Sequence, residues 1–248
     1  MSQIKTIVMK FGGTSVANET TRESMVRHVI REVEAGFKVL VVVSAMGRDA
    51  DAAYATDTLA ALVSEKITPR ESDRLLSCGE VISSIVTSDL ARAYGLSVMS
   101  LAPVEIGIIT DTNHTDAHIL IVDTQELLEK FKLYDVLIAP GFIGVSEEGF
   151  ITTLGRGGSD TSAIALGASL GAEFVDIYTD VIGIMTADPN KNPNAVLIPE
   201  LTYDELIEIA KAGAQIIHLK AIKLAKDCEV SMRFRSTFED YVGTVVKK

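Results

Sequence analysis

The sequence has only two cysteines, Cys78 and Cys228. They are too few and too isolated for a disulfide framework or a zinc site, so each is expected to be a small buried hydrophobe without a role. Long hydrophobic runs are also missing. A stretch such as VLVVVSAM falls well short of the ~18 residues that a membrane span requires, and the N-terminus lacks a charged-then-apolar signal pattern. A cytoplasmic protein with no membrane partner is expected. Positive charge is scarce too: 23 basic residues stand against 34 acidic ones, a net charge of -11, which repels a phosphate backbone and argues against nucleic acid as a partner. No Pro/Ser-rich linker, low-complexity stretch or internal repeat divides the 248 residues, enough for one large α/β domain or two small ones.

What the sequence does contain is an alternation. IKTIVMKF is followed by Val26, Val29, Ile30 and Val33 at helical spacing, then by FKVLVVVSAM. This reads as strand, helix, strand, with strands apolar enough to be buried on both faces, as in a parallel sheet. LSVMSL, HILIVD, YDVLIAPGF and EFVDIYTD are further strand candidates, with a helical TQELLEKF between the second and third of them. Thr202 and Glu205 have the spacing of a capping box that opens a helix bearing Leu206, Ile209 and Ala210 on one face. A second helix carries Ile217, Ala221, Leu224 and Ala225, and VSMRFRS is expected to close the core. The expected fold is a three-layer αβα sandwich around a mostly parallel sheet, in two lobes of about residues 1–145 and 146–248. A hydrophobic fraction of 47% with mean hydropathy +0.27 suggests that a second subunit covers some apolar surface, as in a homodimer.

Three glycine-bearing turns follow strand candidates: Lys10-Phe11-Gly12-Gly13-Thr14-Ser15, Ser44-Ala45-Met46-Gly47 and Gly155-Arg156-Gly157-Gly158-Ser159-Asp160. Glycine lets backbone N–H groups approach an anion, and a following helix presents its positive dipole end. Any one such turn is more often a mere tight turn. Three of them, with Lys10, Arg156 and Asp160 attached, point to phosphoryl transfer: a lysine can neutralise the moving phosphoryl group, a carboxylate can orient that lysine, and a guanidinium can grip a carboxylate or phosphate.

MKFGGTSV, SAMG, CGE, TTLGRGGSDTSA and YTDV-x-G-x-x-TADP, in this order, resemble the catalytic domain of the aspartokinases, within the amino acid kinase family. The resemblance covers nearly the whole chain. It implies ATP and L-aspartate as substrates, with Mg²⁺ held mainly by the nucleotide phosphates and no dedicated protein metal site, and it implies transfer of the γ-phosphoryl group to the side-chain carboxylate. Carried over by position, Lys10 and Asp160 match the catalytic pair. Thr56, Glu80, Arg156, Gly157, Gly158 and Ser159 match the acceptor site, with Glu80 on the ammonium and Arg156 on a carboxylate. Lys10, Phe11, Gly12, Gly13, Ser44, Thr179, Asp180, Thr186, Ala187 and Asp188 match the ATP side, where Met185 is expected to offer an apolar contact to adenine. The chemistry suits these residues, because a carboxylate of pKa ~4 is already ionised and needs no general base. The four histidines, His218 included, are accordingly expected to be structural or surface residues.

The departures from the family pattern lie on the nucleotide side. VIGIMTADPNK stands where VDGVYTADPR is common, so Ile182 replaces an acid, Met185 an aromatic and Asn190 an arginine; Gln215 stands where a lysine is common. Looser ATP binding is expected, with Lys191 as a compensating phosphate contact. Thr56 lies in a stretch longer than the usual spacing. Paired ACT domains usually follow in aspartokinases and none is read within this chain, so any regulatory partner would act in trans. Rival readings are a kinase for another acidic small molecule and a binding paralogue that has lost turnover.

Overall fold

The computed structural model describes residues 4–47, 52–187, 194–213 and 216–247. In chain order the elements are β1 (Thr6–Phe11), α1 (Glu19–Glu34), β2 (Lys38–Val43), α2 (Thr56–Ala60), α3 (Pro69–Ala93), β3 (Val98–Ser100), β4 (Ile108–Thr110), β5 (Ile119–Val122), α4 (Gln125–Phe131), β6 (Val136–Pro140), β7 (Ile143–Ser146) and β8 (Ile151–Thr153). Then come α5 (Gly158–Leu170), β9 (Val175–Thr179), β10 (Glu200–Thr202), α6 (Tyr203–Lys211), α7 (Leu219–Asp227), β11 (Met232–Ser236) and β12 (Val242–Lys247).

Eight strands form the central sheet in the order β10-β12-β11-β9-β1-β2-β6-β3. All its pairings are parallel except the antiparallel β11–β12. The period of two along each strand makes the layers. Ile7, Met9 and Phe11 of β1, with Val39, Val41 and Val43 of β2, pack against Met25, Val26 and Val29 of α1. Val8, Leu40 and Val42 face the other way, onto a core that includes Leu127 and Phe131 of α4, Ile164 and Leu166 of α5, Leu206 of α6 and Ile222 of α7. This is the expected three-layer αβα arrangement. Among the described residues no helix is long and apolar enough to cross a membrane.

The helix caps follow the sequence. Thr202 accepts from the Glu205 N–H while the Glu205 carboxylate reaches back to the Thr202 N–H, the reciprocal bonding expected at α6. α3 begins in the same way with Thr68 and Glu71, and Pro69 occupies its first turn.

Several expectations are corrected. Both cysteines are exposed, not buried, because each lies on the solvent side of its helix or helix end. β11 does not close the core: β12 and β10 extend the sheet beyond it. A second, four-stranded sheet, β5-β4-β7-β8, sits beside α3 and holds two antiparallel hairpin pairings. Finally, the turn after β1 does not run straight into an α-helix. A 3₁₀ turn, Gly13–Val16, intervenes, and α1 is capped by Asn18. The Ser44–Gly47 turn precedes only the five-residue α2. The dipole of a full helix therefore supports anion binding at α5 alone.

Candidate active site

The parallel strands β9, β1, β2 and β6 end on one side of the sheet, the edge where ligands of open α/β sheets bind. Lys10 is the fifth residue of β1 and shares the strand face of Val8, toward α5. Asp160 lies in the first turn of α5. The two meet as an ion pair with Nζ–Oδ1 of 2.6 Å, each below 10% exposed. Such a pair holds the ammonium in place at a helix N-terminus, where a polyphosphate would also be drawn.

The first two glycine turns interlock. The Gly47 N–H donates to the Gly13 carbonyl, and a Cβ on Gly13 would lie 2.7 Å from the Gly47 carbonyl oxygen. The Gly12 position faces Lys10 instead, with a Cβ there falling 3.6 Å from Nζ. Phe11 turns away: its ring is fully buried and stacks on Tyr178 at 4.4 Å, so only its backbone can serve a ligand. Ser15 bonds Thr237 at 2.6 Å, fastening the first turn to the end of β11. Ser44, half-buried, follows β2, and its N–H donates to the Phe11 carbonyl.

Glu80 lies deep in α3, 2% exposed. One of its oxygens accepts from the Ala45 N–H at 3.1 Å; the other has no hydrogen-bond partner among the described residues. Burial pushes its pKa up to about 8, with the Ala45 N–H only partly offsetting it. Gly79 makes this close approach possible, since a Cβ there would collide with the Tyr54 carbonyl and Ala45 Cβ. α2, which begins at Thr56, packs on the same helix.

The third turn uses the left-handed backbone that glycine adopts freely. Gly155 and Gly157 both have φ of +71°, and Gly157 has the His218 ring against it. Arg156 between them is exposed, while Gly158 is buried and Ser159 half-buried. Sequence reasoning missed the residues after β6: a Cβ on Gly141 would press on Ser159 Cβ at 2.9 Å, and Phe142 adopts φ of +69° against Gly158. The signal was present in the Pro-Gly that ends the β6 run.

Of the residues expected to contact the nucleotide, Thr179 ends β9 one register beyond the Phe11–Tyr178 pairing, beside the first turn, and the exposed Asp180 follows it. Met185, Thr186 and Ala187 lie farther along. Met185 bridges Leu197 and Thr186 bonds Val196, so this segment is tied to the chain before β10. Asp188, Asn190, Lys191 and Gln215 lie outside the described residues. The histidines are structural or lie at the surface. His28 is buried, its pKa lowered chiefly by desolvation; His114 and His118 pair with carboxylates, and His218 caps α7.

The model for the amino acid kinase family matches residues 5–236, a span that includes the lysine–carboxylate pair and the glycine turns around it. The chain belongs to the amino acid kinase family. Within that family it is 44% identical to Aspartokinase 1 of Bacillus subtilis over 246 residues, covering 98% of this chain and 61% of that protein. The structure of aspartate kinase from Synechocystis superposes with a TM-score of 0.85 at 38% identity, over 97% of this chain and 39% of that one. E. coli aspartokinase III in complex with aspartate and ADP gives 0.84 at 26% identity, over 98% and 65%. This amino acid kinase chain thus spans about three fifths of the length of the curated relatives it matches.

Proposed function

We propose that the chain phosphorylates the side-chain carboxylate of L-aspartate with ATP, giving 4-phospho-L-aspartate and ADP. The observation that carries this reading is Glu80. A buried carboxyl with one unpartnered oxygen lacks a cation, and the ammonium of an amino acid supplies it. A carboxyl there supplies no positive charge to a phosphate-bearing acceptor, and its ionised form would repel one, which separates this reading from that of a nucleotide or phosphonate kinase. Similarity to aspartokinases supports the same choice.

In this reading Arg156 grips an acceptor carboxylate, with Gly157, Gly158 and Ser159 around it and Thr56 across the site. A side-chain carboxylate oxygen attacks the γ-phosphorus, and the bond to the β-γ bridging oxygen breaks as ADP leaves. Lys10, held by Asp160, meets the charge that shifts to the leaving oxygen. Gly12, Gly13 and Ser44 approach the phosphates, and Thr179, Asp180, Met185, Thr186, Ala187, Asp188 and Lys191 form the nucleotide side. The acceptor half is about residues 1–145 and the nucleotide half about 146–248. Mg²⁺ would be held mainly by the nucleotide phosphates and would supply charge neutralisation there. A homodimer is the proposed assembly, checked by light scattering.

The test is hydroxamate trapping of the acyl phosphate. Wild type with Mg-ATP and aspartate yields hydroxamate; Lys10→Ala and Asp160→Ala fall by about a hundredfold or more, as for loss of one transition-state electrostatic partner. Equal activity in all three proteins refutes the site, and ADP release without hydroxamate refutes the reaction.

A further inference from the structure

α3 carries a second buried acid on the face of Glu80, seven residues before it: Asp73, fully buried. Seven residues are close to two helical turns, so the two carboxyls share one face about 10 Å apart along the axis. Asp73 is saturated where Glu80 is not. His114 Nδ1 donates to it at 2.6 Å, Thr153 Oγ1 at 2.6 Å, and the Thr115 N–H reaches both oxygens at 3.0 and 3.2 Å.

These partners lead to the turn that carries Arg156. Thr153 ends β8, two residues before Gly155. Thr115 holds φ of +74°, a conformation that a β-branched residue adopts only when its surroundings impose it. The next residue, Asp116, lies where a Cβ on Gly155 would fall, 2.4 Å from Oδ1. Lys220 on α7 donates to both Asp116 and the Leu154 carbonyl at 3.3 Å, closing the turn from the other side. Asp73 therefore links the helix that bears Glu80 to both segments that seat the Arg156 turn.

We propose that Asp73 is a positioning residue that sets the separation of Glu80 and Arg156 and thereby selects a four-carbon acidic amino acid over its five-carbon homologue. The inference rests on the acceptor roles given to those two residues above. Two fixed charges read the two ends of a small zwitterion, and their spacing discriminates length only if the elements carrying them cannot slide. The Asp73 cluster is the described buried polar connection between them that also imposes a strained backbone, as a rigid spacer requires.

The experiment measures KM for aspartate, glutamate and ATP in wild type, Asp73→Asn, Thr153→Val and the pair Asp73→Asn/Thr115→Gly. In Asp73→Asn, KM for aspartate is expected to rise about tenfold or more, the preference for aspartate over glutamate to fall, and KM for ATP to stay within about twofold. Thr153→Val removes one hydroxyl and shifts the same quantities by a smaller factor, which guards against misfolding of the Asp73 variant. Thr115→Gly relieves the positive φ and restores part of the aspartate KM in the double variant, because glycine needs no imposed partner there. An unchanged aspartate-to-glutamate preference, or equal rises in KM for aspartate and ATP, overturns the role of Asp73 alone. A wild type inactive with aspartate overturns the proposed function and with it the acceptor site that Asp73 would position.

Discussion

Glu80 is costly to ionise where it stands, buried with a single N–H donor, and its proton is therefore linked to both folding and binding. Its pKa rises from 4.5 to about 8 on folding, so between those values the native protein keeps a proton that the unfolded chain has lost. Its contribution to stability is present below pH 4.5 and is lost as pH climbs toward 8, at up to about 1.4 kcal/mol per pH unit. Urea denaturation at several pH values is expected to show this slope in wild type and its absence in Glu80→Gln; parallel slopes would contradict it. An acceptor ammonium favours the ionised form, so aspartate binding at neutral pH is expected to release protons, which calorimetry in buffers of different ionisation enthalpy measures.

At the scale of elements, the two adjacent glycines after β1 do different work. Gly13 is a packing requirement, because its neighbour across the gap is a backbone carbonyl that cannot rotate away. Gly12 opens onto the Lys10 ammonium at ordinary contact distance. Gly12→Ala is thus expected to leave the melting temperature within about 2 °C of wild type while raising KM for ATP, and Gly13→Ala to lower both stability and activity. A thermal shift assay beside initial-rate kinetics separates them: equal effects would refute the division. Helix α5 differs in kind from α6 and α7. Nearly every side chain along it is buried, whereas the other two show an apolar stripe and an exposed face. That burial anchors Asp160 against Lys10.

Across the whole molecule, the C-terminal strands are joined to α1 by a buried charge network. Arg235 pairs with Glu32 at 3.1 Å and Asp176 at 3.2 Å, and Arg233 pairs with Asp176 at 2.6 Å. His28 on α1 donates to the Thr237 carbonyl just beyond, and Thr237 holds Ser15 of the first glycine turn. Removing one member leaves uncompensated buried charge. Arg235→Met is expected to destabilise the protein by about 3–5 kcal/mol in chemical denaturation. A loss below about 1 kcal/mol would mean that the network is dispensable.

The sequence by itself determined the strand and helix alternation, the α6 cap and the glycine turns that carry Lys10 and Asp160, because these are local signals: periodicity, capping spacing and turn chemistry lie within a few residues, whereas Glu80 stood out only through the resemblance of its CGE stretch to the aspartokinases. Helix α3 escaped notice because its buried face carries Ser77, Gly79, Ser83, Ser84, Thr87 and Ser88, so no apolar stripe marks it. The four-stranded sheet was hidden for a related reason, since its strands are three or four residues long and pair with distant partners. Burial of Glu80, the Lys10–Asp160 contact across 150 residues and the three donors on Asp73 belong to the tertiary structure alone. Charge pairing and desolvation depend on distance in space, and only the folded sheet and its helices set that distance.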